Sequence, residues 1–316
     1  MTANEIKNKI CEAKNIAIFG HLHPDLDCFG AMFGAKFLCE NLGTKCDMFS
    51  NFSDDLFLLN IFPKTAFKEE FKEKKYDLIL IVDCNSLARI DELYRDKLIG
   101  KRLLIIDHHE QNEQEDNADF YIKPQKCSAS IIIFELMEKF NIKLTAEYAT
   151  YLFSGLVGDT GRFLHTNTDA SAFICASKLL KAGADIQKVY DVIYRSLTMK
   201  QARLRDFMFA NLKDNGKRVC YLAVSEEDLV KLHASVEDLK MFVDDINKIK
   251  DYDVVMLAYE VKPKEFKVSL RSKNGVIVSN IANKYGGGGH KMAAGFNLIG
   301  DKYSVTKKLK AICEEF

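Results

Sequence analysis

Two segments of the chain, YDLILIVD at 76–83 and RLLIIDHH at 102–109, carry β-branched and aliphatic residues with no polar alternation until their last positions. A strand with one face in water alternates apolar and polar residues, because successive side chains point to opposite faces. Strands without that alternation must be covered on both faces, as interior strands of a parallel sheet are. NIAIF at 15–19 reads as a third strand and 44–48 as a weaker one. Apolar residues at helical spacing separate or follow them at 29–42, 130–140, 146–157 and 170–182, the last stopped by Gly183. The charge-rich FKEEFKEKK at 67–75 reads as a solvated helix face. This alternation predicts an α/β domain with a mainly parallel sheet flanked by helices.

Residues 187–212 read as one amphipathic helix ended by the turn Asp214-Asn215-Gly216. Strands RVCYLAV, DVVMLAYEV and EFKVSLRS follow, the last two joined by Lys262-Pro263-Lys264, a hairpin-length connection. The expected organisation is a first domain at 1–197, a linker helix at 198–214, and a smaller α/β domain with a mixed sheet at 215–316.

Composition narrows the function. The 45 basic and 45 acidic residues cancel, so the broad electropositive footprint of a protein that coats long duplexes is missing, while small anionic ligands remain open. The nine cysteines form no CxxC pair and read as reduced structural thiols. No apolar run approaches the ~18 residues of a membrane span. The N-terminus, MTANEIKNKICEAKN, lacks the apolar core of a signal peptide, so a cytoplasmic location is expected.

Ionisable residues cluster where three strands end. His21, Asp25 and Asp27 follow NIAIF, Asp83 follows LILIV, and Asp107-His108-His109 follow RLLII. In an open α/β sheet, ligands bind outside the carboxyl ends of the strands, and parallel neighbours would bring these side chains to one edge. Asp159, in GLVGDTGRF, follows a helical pattern and is expected in a glycine-flanked loop free to reach the same edge. A single aspartate at a strand end commonly caps a turn or a helix. Several held together raise each other's pKa and need compensation, which divalent cations supply. A mixed carboxylate and imidazole set suits Mn²⁺, Mg²⁺ or Zn²⁺, and its size suits two ions sharing one carboxylate, an arrangement that activates water and neutralises phosphoryl charge. Neighbouring residues of an extended chain point oppositely, so one of His108 and His109 is expected to face metal and the other substrate. His23 has no such partner and reads as structural.

These residues resemble the motifs of the DHH phosphoesterase superfamily, named for the Asp-His-His written here as Asp107-His108-His109. HLHPDLD is similar to its first motif, Asp83 to its second, and GDTGRF to its fourth. VSLRSKNGVIVSNIANKYGGGGHKMAAGF, at 268–296, resembles the DHHA1 domain with its GGGH signature. Length and arrangement are most similar to the small oligoribonuclease and 3′-phosphoadenosine-5′-phosphate phosphatase branch, the nanoRNase A group. The resemblance implies one Mn²⁺ on His21, Asp25 and Asp83 and a second on Asp27, Asp83, His108 and Asp159, with Asp83 bridging. It implies that His109 touches the scissile phosphate and that Asp107 orients its neighbours. Leu26 and Cys28 stand where the usual motif has Gly and Ala, which bears on loop shape and thiol sensitivity.

In the second domain, Gly287, Gly288 and Gly289 of the Gly286–Gly289 run would let backbone N–H groups approach a phosphate, with His290 adding a donor. Arg271 and Arg162 are candidates for forked phosphate binding, since guanidinium matches phosphate geometry and also stacks on bases. Hydrolysis of short RNA to 5′-mononucleotides, with phosphoadenosine phosphatase activity, is the first reading. Cyclic di-AMP or its linear dinucleotide as substrate is the second, and a nucleotide or RNA sensor without catalysis the third. A homodimer is left open.

Overall fold

The computed structural model describes residues 1–50, 56–110, 115–194, 197–240 and 242–316. The chain divides into two compact units, 1–196 and 197–316.

The first unit is built on a five-stranded, wholly parallel sheet: β1 (Asn15–Phe19), β2 (Lys45–Phe49), β3 (Leu78–Val82), β4 (Leu103–Asp107) and β5 (Ala118–Ile122), in the order β2-β1-β3-β4-β5. The unbroken apolar runs are explained by its two covered faces. Leu78, Leu80 and Val82 join Ile16, Ile18, Leu104 and Ile106 in a core shared with the helices Leu26–Asn41, Ala129–Lys139 and Ala146–Asp159. Ile79 and Ile81 point the other way, to a second core with Phe19, Phe49, Phe71, Tyr76 and Tyr94. β1 sits beside β2 on one side and β3 on the other, so the chain reverses its winding there and opens a crevice at the strand ends. β5, half-buried along its length at the sheet edge, has no double-sided apolar run to announce it.

Three local expectations are corrected. Residues 67–75 form no α-helix: Phe67 bridges Met48, and a short 3₁₀ turn occupies Glu73–Lys75. The segment passes the edge of β2, sending Phe67 to one core and Phe71 to the other, which a single helix face cannot do. Residues 187–212 are not one helix. Ile186–Tyr194 is followed by a separate helix, Met199–Ala210, and residues 195–196 of the expected helix lie outside the described residues. Thr198 starts that second helix with a capping box: its hydroxyl accepts the Gln201 N–H, and the Gln201 side chain accepts the Thr198 N–H. Asp159 is the last residue of a helix and not part of a loop.

The second unit holds a mixed sheet of β6 (Lys213–Asp214), β7 (Val219–Val224), β8 (Val254–Lys262), β9 (Glu265–Ser272), β10 (Gly288–His290) and β11 (Ala293–Ile299), ordered β10-β11-β9-β8-β7-β6. Only β7 and β8 run parallel; β8 and β9 form the expected hairpin. Helix Lys302–Cys313 covers one face through Val305, Leu309 and Ile312. Leu204 and Met208 of Met199–Ala210 help cover the other. Among the described residues no helix is long and apolar enough to cross a membrane.

Candidate metal centre

Each strand end delivers its ionisable residues through a distinct local device. Beyond β1, Asp25 is the N-cap of helix Leu26–Asn41, its Oδ1 accepting the N–H groups of Asp27 and Cys28 at 2.9 and 3.0 Å. His21 lies back against this cap. Its Nδ1 is 2.9 Å from the Leu22 carbonyl, which only a protonated Nδ1 can use, so Nε2 is the nitrogen turned toward Asp83 Oδ2 at 3.4 Å and Asp25 Oδ1 at 3.9 Å. His23, with φ +57°, is exposed.

Beyond β3, Asp83 adopts φ +54°, a left-handed conformation that Asp and Asn tolerate better than most residues. The turn swings its buried carboxylate between two imidazoles, with Oδ2 facing His21 and Oδ1 facing His108 Nε2, each at 3.4 Å.

Beyond β4 the chain does not continue extended. Buried Asp107 accepts the N–H groups of both His108 and His109 on Oδ1, at 2.7 and 3.2 Å, and curls the chain around itself. The expectation that the two histidines point oppositely is therefore wrong: their rings lie side by side, centroids 4.3 Å apart. Asp107 Oδ1 also receives His109 Nδ1 at 2.8 Å, leaving the Nε2 of this half-exposed ring free. His108 gives its Nδ1 proton to the Lys126 carbonyl at 3.2 Å and turns Nε2 inward.

Two helices complete the cluster. Asp27, in the first turn of Leu26–Asn41, accepts the N–H groups of Ala129 and Ser130 at 2.6 and 3.0 Å, at the positive end of helix Ala129–Lys139. Asp159 places Oδ2 3.2 Å from His108 Nε2, while Asn167 donates to its backbone carbonyl at 3.1 Å. Glycines let these helices meet. A Cβ at Gly30 would lie 2.7 Å from the Tyr151 carbonyl oxygen, and one at Gly155 would lie 2.7 Å from Asp27 Oδ1. The anchoring by Ala129 and Ser130 and the glycine contacts were not foreseen; the SAS triplet before a run of isoleucines is the sequence signal for the former. The departures in the first motif are accommodated locally. Leu26 packs over Gly158, and Cys28 Sγ fills the space left by the missing side chain of Gly20.

The charges are unequal to one another. Burial pushes Asp27 well above the usual carboxylate range, and the neighbouring Asp83 and Asp159 add to it. Burial likewise raises Asp159 to about 6, against the pull of His108. Burial opposes ionisation of Asp83 too, but the imidazoles of His108 and His21 on either side of it win and hold it below the usual range. His108 resists charging by burial and is nonetheless driven up to about 10 by Asp83, Asp27 and Asp159.

Donor chemistry fits divalent cations. His108 Nε2 and Asp83 Oδ1 are buried without a hydrogen-bond partner, although carboxylates surround them. The donor pairs lie 3.2 to 3.9 Å apart. Ligands sharing one cation at about 2.0–2.2 Å are spaced by roughly 3–4.3 Å. The proton that the carboxylates draw onto His108 thus stands where a cation would.

The remaining candidates are Arg162 on the first unit and Arg271, Gly287, Gly288, Gly289 and His290 on the second. Arg162, half-buried at φ +66°, rests its guanidinium over the Tyr194 ring at 5.5 Å. In the second sheet, register aligns His290 on β10 with Ala293 on β11 and Ala293 with Arg271 on β9. Directly opposed residues share a face, so Arg271 and His290 flank the small Ala293 on one side of the sheet. The glycines serve the fold as well: a Cβ at Gly287 would lie 2.0 Å from the Gly295 carbonyl oxygen, and one at Gly289, where φ is +139°, would lie 2.6 Å from the Ala293 carbonyl oxygen. Gly288 alone of these three is open. Gly289→Ala is expected to destabilise the unit by about 1–3 kcal/mol through overpacking and strain. Gly288→Ala is expected to melt with wild type; a matching loss at Gly288 in thermal melts would show that the crowding is misjudged.

The family model for the DHH family, N-terminal domain, matches residues 15–156, and that for the DHHA1 domain matches 216–316. A probable bifunctional oligoribonuclease and PAP phosphatase NrnA from Streptococcus mutans is 30% identical over 98% of this chain and 99% of its own. The bifunctional oligoribonuclease and PAP phosphatase NrnA of Mycoplasma genitalium is 31% identical over 94% of this chain and 93% of its own. An exopolyphosphatase-related protein from Bacteroides fragilis shares the fold, with TM-score 0.84, 24% identity, and coverage of 99% and 95% of the two chains. With both domain models matched in order and relatives aligned end to end, the chain belongs to the DHH family and carries a C-terminal DHHA1 domain.

Proposed function

We propose that this protein is a metal-dependent phosphoesterase that hydrolyses short oligoribonucleotides to 5′-mononucleotides and 3′-phosphoadenosine-5′-phosphate to AMP. The observation that carries the chemistry is Asp83, whose two buried oxygens face two imidazole nitrogens at equal distance. The substrate class is supported by the end-to-end relatives named for those two activities.

In this reading His21, Asp25 and Asp83 hold one divalent cation, and Asp27, Asp83, His108 and Asp159 hold another, with Mn²⁺ the expected ion. When bound, such cations neutralise phosphoryl charge and make water a competent nucleophile near neutral pH. The chain's own residues do the rest. Asp107 keeps the His109 proton on Nδ1 and fixes the ring, so that His109 Nε2 addresses the reacting phosphate. Asp27 is held rigid by the two amides of the helix behind it, so the ligand set is preorganised. On the second unit, Arg271, His290 and the backbone of Gly287, Gly288 and Gly289 are proposed to bind the nucleotide, and Arg162 on the first unit to contact phosphate.

The test is hydrolysis of an RNA trinucleotide, an RNA of about two dozen nucleotides, phosphoadenosine phosphate and cyclic di-AMP, each with Mn²⁺ and with chelator. Metal-dependent loss of the trinucleotide and phosphoadenosine phosphate is expected; preference for the cyclic compound or the long strand would overturn the substrate assignment. His109→Ala is expected to lower kcat by about 10²–10⁴ while Mn²⁺ affinity holds. Equal losses in both would place His109 among the ligands instead.

A further inference from the structure

We infer that Cys28 is a sulfur ligand to the cation held by His21 and Asp83, biasing that position toward a borderline metal such as Zn²⁺ or Co²⁺. The inference rests on the metal-centre reading above and adds a donor to it. One donor atom from each of His21, Cys28 and Asp83 lies within 4.8 Å of the others. Cys28 follows the N-cap Asp25 by three residues, so both occupy one face of the first helical turn. Its side chain is fully buried, in a space that exists because residue 20 is glycine: a Cβ there would lie 2.1 Å from Cys28 Sγ. Cys84, another thiol beside the centre, donates instead to the Ser86 carbonyl at 3.2 Å. Asp83, the buried acid of this trio, turns Oδ2 toward His21 Nε2 at 3.4 Å.

Zinc holds sulfur at about 2.3 Å and imidazole nitrogen at about 2.0–2.1 Å, so at a tetrahedral angle two such ligands sit roughly 3.6 Å apart. The three donors lie within 4.8 Å of one another, so closure by at most about an ångström brings them to bonding distance. On binding, the Cys28 S–H bond breaks, its proton passes to bulk water, and a sulfur lone pair forms the bond to the cation; no electron is transferred. Thiolate is a soft donor and selects Zn²⁺ or Co²⁺ over Mn²⁺ and Mg²⁺.

Cobalt(II) titration of the metal-free full-length protein, followed by absorption, tests this. Wild type is expected to show visible d–d bands and an intense near-ultraviolet thiolate-to-cobalt charge-transfer band. Cys28→Ala should keep the d–d bands and lose the charge-transfer band, with Zn²⁺ affinity falling about 10-fold or more and Mn²⁺ affinity changing less than about 3-fold. Cys28→Ser, nearly isosteric, should lose the same band, and it serves if the alanine variant fails to fold. Visible bands without a charge-transfer band in wild type, or a band that survives both substitutions, overturns the role of Cys28 and leaves the metal centre standing. Absence of any cobalt bands overturns both.

Discussion

Asp83→Asn is expected to lower kcat by at least about 10³, or about 4 kcal/mol of barrier, and to remove high-affinity Mn²⁺ binding. Asparagine is the informative replacement. Asp83 sits at φ +54°, where alanine adds about 1–2 kcal/mol of backbone strain that asparagine largely avoids. Shape and backbone are kept while the negative charge is lost, together with the ability to offer one anionic oxygen to each of two cations. Both neighbours feel the change, since His21 and His108 each face one Asp83 oxygen. Calorimetric Mn²⁺ titration, turnover and circular dichroism on the same preparation separate chemistry from folding. Turnover within about 10-fold of wild type, with the fold intact, would mean that Asp83 does not bridge.

Gly155→Ala is expected to destabilise the first unit and to disturb the metal centre at once. The added Cβ would lie 2.1 Å from Ser130 Oγ and 2.7 Å from Asp27 Oδ1. The serine hydroxyl can rotate aside, but Asp27 is pinned by the Ala129 and Ser130 amides and cannot retreat cheaply. Overpacking of this kind costs about 1–3 kcal/mol, and at about 2–4 °C per kcal/mol the melting temperature should fall by several degrees. Because the displaced atom is a proposed ligand, Mn²⁺ affinity should fall as well. Adding Ser130→Ala removes the shorter clash, so the double variant should recover part of the stability, which a double-mutant cycle measures. A single variant that melts with wild type and binds Mn²⁺ normally would show that the helices separate freely and that Asp27 is not held by their contact.

Much of the first unit was legible in the chain. LILIV and LLII can only be strands covered on both faces, and the placement of Asp83 and Asp107 at their ends follows from where those runs stop. The convergence of His21, Asp25, Asp27 and Asp83 at one edge needed only that β1 and β3 be parallel neighbours, as they are. Other features depend on segments far apart in sequence. The side-by-side rings of His108 and His109 arise because one Asp107 oxygen gathers two following amides and ends the extended geometry earlier than periodicity suggests. The break before Thr198 was written as a capping box, but continuous amphipathic spacing on both sides concealed it.

By itself, the sequence determined which residue types stand at the ends of which strands, because hydrophobic periodicity reports how each segment divides its faces between core and solvent. Only the tertiary structure decided how near those residues come to one another. Asp27 meets Asp159 and His108 through glycines on crossing helices, and Arg271 and His290 share a sheet face through the register of β9, β11 and β10. Helix approach and strand register are set by packing between distant segments, and no local pattern encodes a distance of that kind.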